Sequence, residues 1–81
     1  MSNFTAAQCR AGRALLDWNQ AELSKRANVA LSTVRRFENG AHQPIANNLA
    51  AIRAALESAG VIFLDDGKSV NGGPGVRLAR R

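Results

Sequence analysis

A mainly helical fold, with four short helices closed by a C-terminal two-stranded β-hairpin, is what this sequence predicts. Three observations carry it. Between Phe4 and Gly60, capping residues, good helix formers and helix stops follow one another in turn. In the last part of that stretch Leu49, Ile52, Ala55, Leu56 and Ala59 recur at a helical period. After Gly60 the pattern changes to Val61-Ile62-Phe63-Leu64, β-branched and aromatic and too short for another helix, with Val76 to Ala79 as a second strand. The expected organisation is one helical domain over residues 1–60 and a hairpin tail over 61–81.

Each element has a local reason. Thr5 is suited to N-cap the first helix, with Gln8 three residues later as a capping box requires, and Phe4 and Cys9 are placed to form a hydrophobic staple. Ala6 to Leu16 is rich in Ala, Leu and Arg, with Gly12 the one weak point. Asp17-Trp18-Asn19 breaks this run. Asn19 then repeats the signal, with Glu22 at the matching position, and opens a second helix from Gln20 to about Ala27. Asn28 tolerates the left-handed backbone of a tight turn, and Val29 follows as an apolar anchor. The third helix spans about Leu31 to Glu38 and stops at Asn39-Gly40. Ala41 to Gln43 is a loop, Pro44 sits near the next helix start, and Ile45 to Ala59 is the fourth helix, ended by Gly60. Asp65 to Gly75 is longer than an ordinary hairpin loop.

The chain has 81 residues, 46% hydrophobic and 21% charged, the balance of an ordinary globular domain. No apolar run approaches the ~20 residues of a membrane-spanning helix. The N-terminus has no basic-then-apolar leader pattern. One Cys and one His exclude a thiolate-rich metal cluster and an internal disulfide. The expectation is a cytoplasmic protein without metal or cofactor. Eleven Lys and Arg against six Asp and Glu leave a formal charge of +5, which favours a polyanionic partner. With His42 in a loop, Cys9 on a helix, no Tyr and no Gly-rich phosphate loop between strand and helix, no catalytic set is expected.

Two short helices joined by a tight turn, the second flanked by basic residues, form a helix-turn-helix pattern. Asn19-Gln20-Ala21-Glu22-Leu23, then Ala27-Asn28-Val29, then Thr33-Val34-Arg35-Arg36-Phe37-Glu38-Asn39-Gly40 resembles the Cro/cI-type (XRE-like) helix-turn-helix DNA-binding family, over about residues 5–60. On the third helix Val34, Phe37 and Glu38 share one side. Leu31, Ser32, Arg35 and Arg36 take outward positions suited to base edges in a major groove. The resemblance implies base contact at Leu31, Ser32 and Arg36, with Thr33 or Arg35 nearer the phosphates. Arg36 is the prime choice for bidentate guanine recognition, worth ~1–3 kcal/mol of discrimination. Gln20, first in its helix, is placed to meet a phosphate with its side chain and the free backbone N–H groups. The resemblance adds Asn19, Asn39 and Gln43 as further backbone contacts, and implies a structural ion pair between Arg13 and Glu38.

Two departures stand out. Ala30 occupies the place where relatives usually cap the recognition helix with Ser or Thr. The tail looks like a strand where many relatives continue into a fifth helix. An isolated hairpin is barely stable in water. Val61, Ile62, Phe63, Leu64, Val76 and Leu78 are therefore expected to pair with a second copy. The alternatives are a hairpin folded back on its own fourth helix, or Arg77, Arg80 and Arg81 as a flexible arm on the phosphates. The resulting expectation is a DNA-binding regulator, acting by occupancy as a repressor does, bound as a homodimer to a two-fold operator. An antitoxin that regulates its own operon and a protein-binding adaptor are the other readings. A toxin or antiactivator is the kind of protein partner they bring.

Overall fold

The computed structural model describes residues 4–65 and 71–80. Four helices, α1 (Ala6–Leu16), α2 (Gln20–Ala27), α3 (Leu31–Glu38) and α4 (Ala46–Ser58), precede the strands β1 (Val61–Leu64) and β2 (Gly75–Leu78). The expected first three helices have these bounds. The fourth is one residue shorter at each end than the expected Ile45 to Ala59, because Ile45 is extended and stands as its N-cap and Ala59 is its C-cap. The second strand is Gly75–Leu78 rather than Val76–Ala79. The loop glycine Gly67 and the C-terminal Arg81 of the expected basic arm lie outside the described residues.

Local chemistry sets the boundaries. Thr5 and Gln8 form a complete capping box at α1. Asn19 caps α2 by accepting from the Glu22 N–H at 2.7 Å. Only half of the expected second box forms, since the Glu22 carboxylate turns to Arg26 at 2.6 Å instead. Asp17 and Asn28 end α1 and α2 in the left-handed region, with φ of 60° and 56°. Gly60, at φ 109°, makes the sharp exit from α4 that a side chain would strain.

The core is drawn from all four helices and β1, with the half-buried Val76 of β2 packed against it. Leu23, Ile52, Leu56, Val34 and Cys9 are fully buried, each large apolar one worth roughly 1.5–3 kcal/mol of transfer free energy. The Phe4 ring lies 4.9 Å from Phe63 and 5.7 Å from Phe37, tying the start of α1 to both hairpin and α3. Packed α2 and α3 form the two-helix unit, α1 braces α3, and α4 backs α2.

The hairpin is antiparallel, with Val61 opposite Leu78 and Phe63 opposite Val76. It folds back on α1 as well as on α4. Val61 (3% exposed) and Phe63 (9%) belong to the chain's own core, so these two side chains are not on offer to a second copy. Ile62 and Leu78 keep more than two fifths of their surface exposed. Leu64 and Val76 are half-buried. A Cβ on Gly12 would sit 3.4 Å from Val61 and 3.6 Å from Leu56 and Phe63, ordinary contact distances, so the hairpin and α4 meet α1 at this position. Gln8 fastens the other end. Its carboxamide nitrogen donates to the carbonyls of Leu64 (3.1 Å) and Gly75 (3.0 Å), one on each strand. Among the described residues no helix is long and apolar enough to cross a membrane.

Candidate nucleic-acid interface

The surface of α3 divides by burial. Val34 (0%), Phe37 (3%) and Glu38 (3%) are held inside. Ser32, Arg35 and Arg36 are exposed, and Leu31 and Thr33 are half-buried. The Arg35 and Arg36 side chains make no hydrogen bond or ion pair with any described residue, whereas Arg10, Arg13, Arg26 and Arg53 are all engaged. Two free guanidiniums beside a small hydroxyl, on one face of a helix, form a donor-rich surface that matches acceptors on guanine and on phosphate.

The start of α3 adds to this. Ala30 makes no side-chain cap hydrogen bond, and the first intrahelical bonds run from Thr33 and Val34 back to its carbonyl. The backbone N–H groups of Leu31 and Ser32 therefore have no protein acceptor among the described residues. Asn39 ends the helix and is exposed. Its side chain accepts from the Ala41 N–H at 3.0 Å, so its carboxamide nitrogen is the end turned to solvent. Gln43 and His42 are exposed in the loop beyond. Asn19 spends its carbonyl oxygen on the α2 cap, which again leaves its NH₂ free.

Behind this surface lies a charged hub. The Arg13 guanidinium grips the Glu38 carboxylate with two parallel bonds, Nε to Oε2 at 2.7 Å and Nη2 to Oε1 at 2.6 Å. Its third donor group reaches the Trp18 carbonyl at 3.0 Å. The bidentate form is the strong form of such a pair. The Cys9 thiol donates to Glu38 Oε2 at 3.0 Å, and Gln20 donates to Oε1 at 2.9 Å. Arg10 donates to the Glu38 backbone carbonyl, placing positive charge at the negative end of α3. Burial opposes the charge on Glu38, but the hydrogen bonds from Arg13, Cys9 and Gln20 and the Arg13 charge outweigh it, and the carboxyl is held below its usual range. Burial, then the Glu38 hydrogen bond and charge, push the Cys9 thiol far up, so it stays protonated and serves as a donor.

The expected residues thus separate into groups. Ser32, Arg35, Arg36, Asn39 and Gln43 share the exposed α3 surface and the loop that follows it, with Leu31 and Thr33 partly withdrawn. Gln20 is half-buried, with one N–H of its carboxamide committed to Glu38 and the other left to turn outward. Arg13 and Glu38 are paired. The sequence reading missed Cys9, Arg10 and Gln20 as members of the hub. Arg10 lies one turn from Arg13 on the same side of α1, which is the signal that points to it. Nothing local points to Cys9 or to the second role of Gln20.

A sequence profile described as Helix-turn-helix matches residues 10–59, well over half of the chain. No curated protein matches it.

Proposed function

This chain belongs to the helix-turn-helix family, whose general role is regulatory DNA binding, and we propose that it is a sequence-specific regulator of transcription. In this reading α3 enters the major groove, Ser32, Arg35 and Arg36 face base edges, and Leu31 meets a thymine methyl. Gln20, Asn19, Asn39 and Gln43 hold the flanking phosphates, with Thr33 between the two sets. The chain acts as a homodimer on a two-fold site, one α3 per half-site about one helical turn, ~34 Å, apart.

One observation carries this reading. The two arginines of α3 are exposed and have no partner among the described residues, while Val34, Phe37 and Glu38 fix the helix from behind. Water satisfies any exposed cation, and Lys25 and Arg77 likewise make no hydrogen bond or ion pair with a described residue; what supports the reading is that two such guanidiniums lie together on one helix face with Ser32, the arrangement a phosphate or guanine partner would meet. Selection of bound duplexes from a random pool tests it. The expected outcome is a short motif repeated with two-fold symmetry. Retention at low salt with no enriched motif would refute sequence-specific reading, and no retention at all would favour a protein-binding adaptor.

A further inference from the structure

The hairpin has two edges, and they are not alike. The Ala79 N–H donates to the carbonyl of Gly60, opposite it in the register of the strands, at 2.7 Å. In an antiparallel ladder bonded pairs alternate with unbonded ones. Ile62 with Arg77 and Leu64 with Gly75 are therefore the bonded pairs that continue from it. The backbone N–H and C=O groups of Val76 and Leu78 point the other way, out of the free edge of β2. No described residue bonds any of these four groups. The chain does finish the end of the hairpin, where Gln8 covers the carbonyls of Leu64 and Gly75. On the other edge β1 packs against α4, and Val61 and Phe63 are buried. β2 packs on β1 and α1, and its Arg77 and Leu78 are exposed.

Successive side chains of a strand point to opposite faces. Beside this free edge the two faces differ in chemistry. Towards α1 a shallow groove of about 180 Å³ lies between Ala7 and Ala11 on one side and Pro74, Gly75 and Val76 on the other. On the outer face stands Arg77, with no hydrogen bond or ion pair to any described residue. Arg80, also exposed, follows the strand. Asp65, the one carboxylate next to a strand among the described residues, follows β1 at the opposite end of the hairpin.

We propose that the free edge of β2 takes up an extended acidic segment of another protein as a third strand. In strand addition the main chain supplies the bonds and alternate side chains supply the selectivity. Peptide residues opposite Val76 and Leu78 exchange backbone bonds with them and turn their side chains towards α1, so these are apolar. The residue between them lies opposite Arg77 and turns outward, so it is Asp or Glu. The preferred segment thus alternates apolar and acidic residues. Charge decides against a second copy of the chain at this edge. The register in which two β2 strands satisfy each other's Val76 and Leu78 sets Arg77 directly opposite Arg77, and like charges so placed are destabilising. A carboxylate in that place turns repulsion into attraction. A nucleic acid has no backbone amides with which to continue the ladder. The proposal goes beyond the DNA-binding reading and does not rest on it, since the strand edge and the exposed surface of α3 share no residue.

The test follows the backbone amides of the full chain by hydrogen exchange and chemical shift. The probe is an end-blocked heptapeptide of alternating glutamate and valine. Without it the Val76 and Leu78 amides should exchange freely, while those of Arg77 and Ala79, bonded to β1, are protected. With it Val76 and Leu78 should become protected as well. The same peptide with N-methylated valines lacks the donors and should not bind. With lysine in place of glutamate it should bind about fivefold more weakly. Arg77→Glu changes an exposed side chain and should reverse that preference. Leu78→Pro removes one edge N–H without touching the bonds to β1, and should abolish binding while the chain stays folded. Val76 and Leu78 amides that are protected in the free chain, or that stay unprotected at millimolar peptide, overturn the proposal. So do shift changes confined to Arg35 and Arg36, or equal binding of the glutamate and lysine peptides by the unchanged chain. Retention of duplex DNA, which tests the other reading, does not enter any of these outcomes.

Discussion

The Gln20 carboxamide nitrogen lies 2.9 Å from Glu38 Oε1, so one hydrogen bond joins the first residue of α2 to the last residue of α3. That acceptor also holds Arg13, at 2.6 Å. The two helices of the DNA-binding unit are therefore set against each other partly through a carboxylate that also belongs to α1. Gln20→Ala should cost about 1 kcal/mol of stability, the scale of one hydrogen bond to a charged group at a half-exposed site. It should also weaken binding to all duplexes about equally, because a phosphate contact carries no sequence information. Chemical denaturation and binding to selected and scrambled duplexes give the two numbers. A loss confined to the selected duplex would place Gln20 on a base instead.

Glu38 is the second place to press. In the folded chain its carboxyl is held below the usual range, while in the unfolded chain it takes a proton near its ordinary value of ~4.3. Between those values the unfolded state binds more protons, so this contribution to stability is present above that window and is lost as pH falls through it. Glu38→Gln leaves Arg13 without its counter-charge at a site where the carboxylate side chain is 2% exposed. The expected cost is about 3 kcal/mol at neutral pH. Urea unfolding measured from pH 7 to pH 3 should show the unchanged chain losing stability in acid and the variant losing less.

Gly12 separates two effects of opposite sign. Helix propensity alone favours Ala over Gly by about 1 kcal/mol. The added Cβ meets Val61, Leu56 and Phe63 at 3.4–3.6 Å, which is ordinary contact. Gly12→Ala should therefore be neutral or stabilising by up to about 1 kcal/mol. Gly12→Leu drives further atoms into the same three side chains and should cost about 1–3 kcal/mol. Thermal midpoints of the two variants, compared with the unchanged chain, decide whether the hairpin truly sits against this helix.

Much of this was legible beforehand where the signal is local. Thr5 with Gln8, Asn19, Asn28 and the Asn39-Gly40 stop mark the helix ends within three or four residues, and backbone satisfaction leaves little choice. The split of α3 into Val34, Phe37 and Glu38 against Ser32, Arg35 and Arg36 follows from periodicity. What could not be read was long-range. Gly12 looked like a flaw in a helix, and nothing local shows that Val61 and Phe63, from the far end of the chain, pack beside it. The hairpin strands were recognisable, but which surface they cover depends on how α1 and α4 lie. Gln20 looked wholly outward because its acceptor, Glu38, belongs to another helix.

Arg36 tests base reading. Arg36→Ala should lose about 1–3 kcal/mol on the selected duplex and relax preference at one position in each half-site. Its loss on scrambled DNA should be smaller. Equal loss on both would move Arg36 to the phosphates.

The most direct test of the central claim is amide chemical-shift mapping of the full chain titrated with its selected duplex. The account predicts the largest changes at Asn19 and Gln20, from Leu31 to Arg36, and from Asn39 to Gln43. Changes concentrated instead on Ile62, Arg77 and the rest of the hairpin, with α3 unmoved, would contradict it.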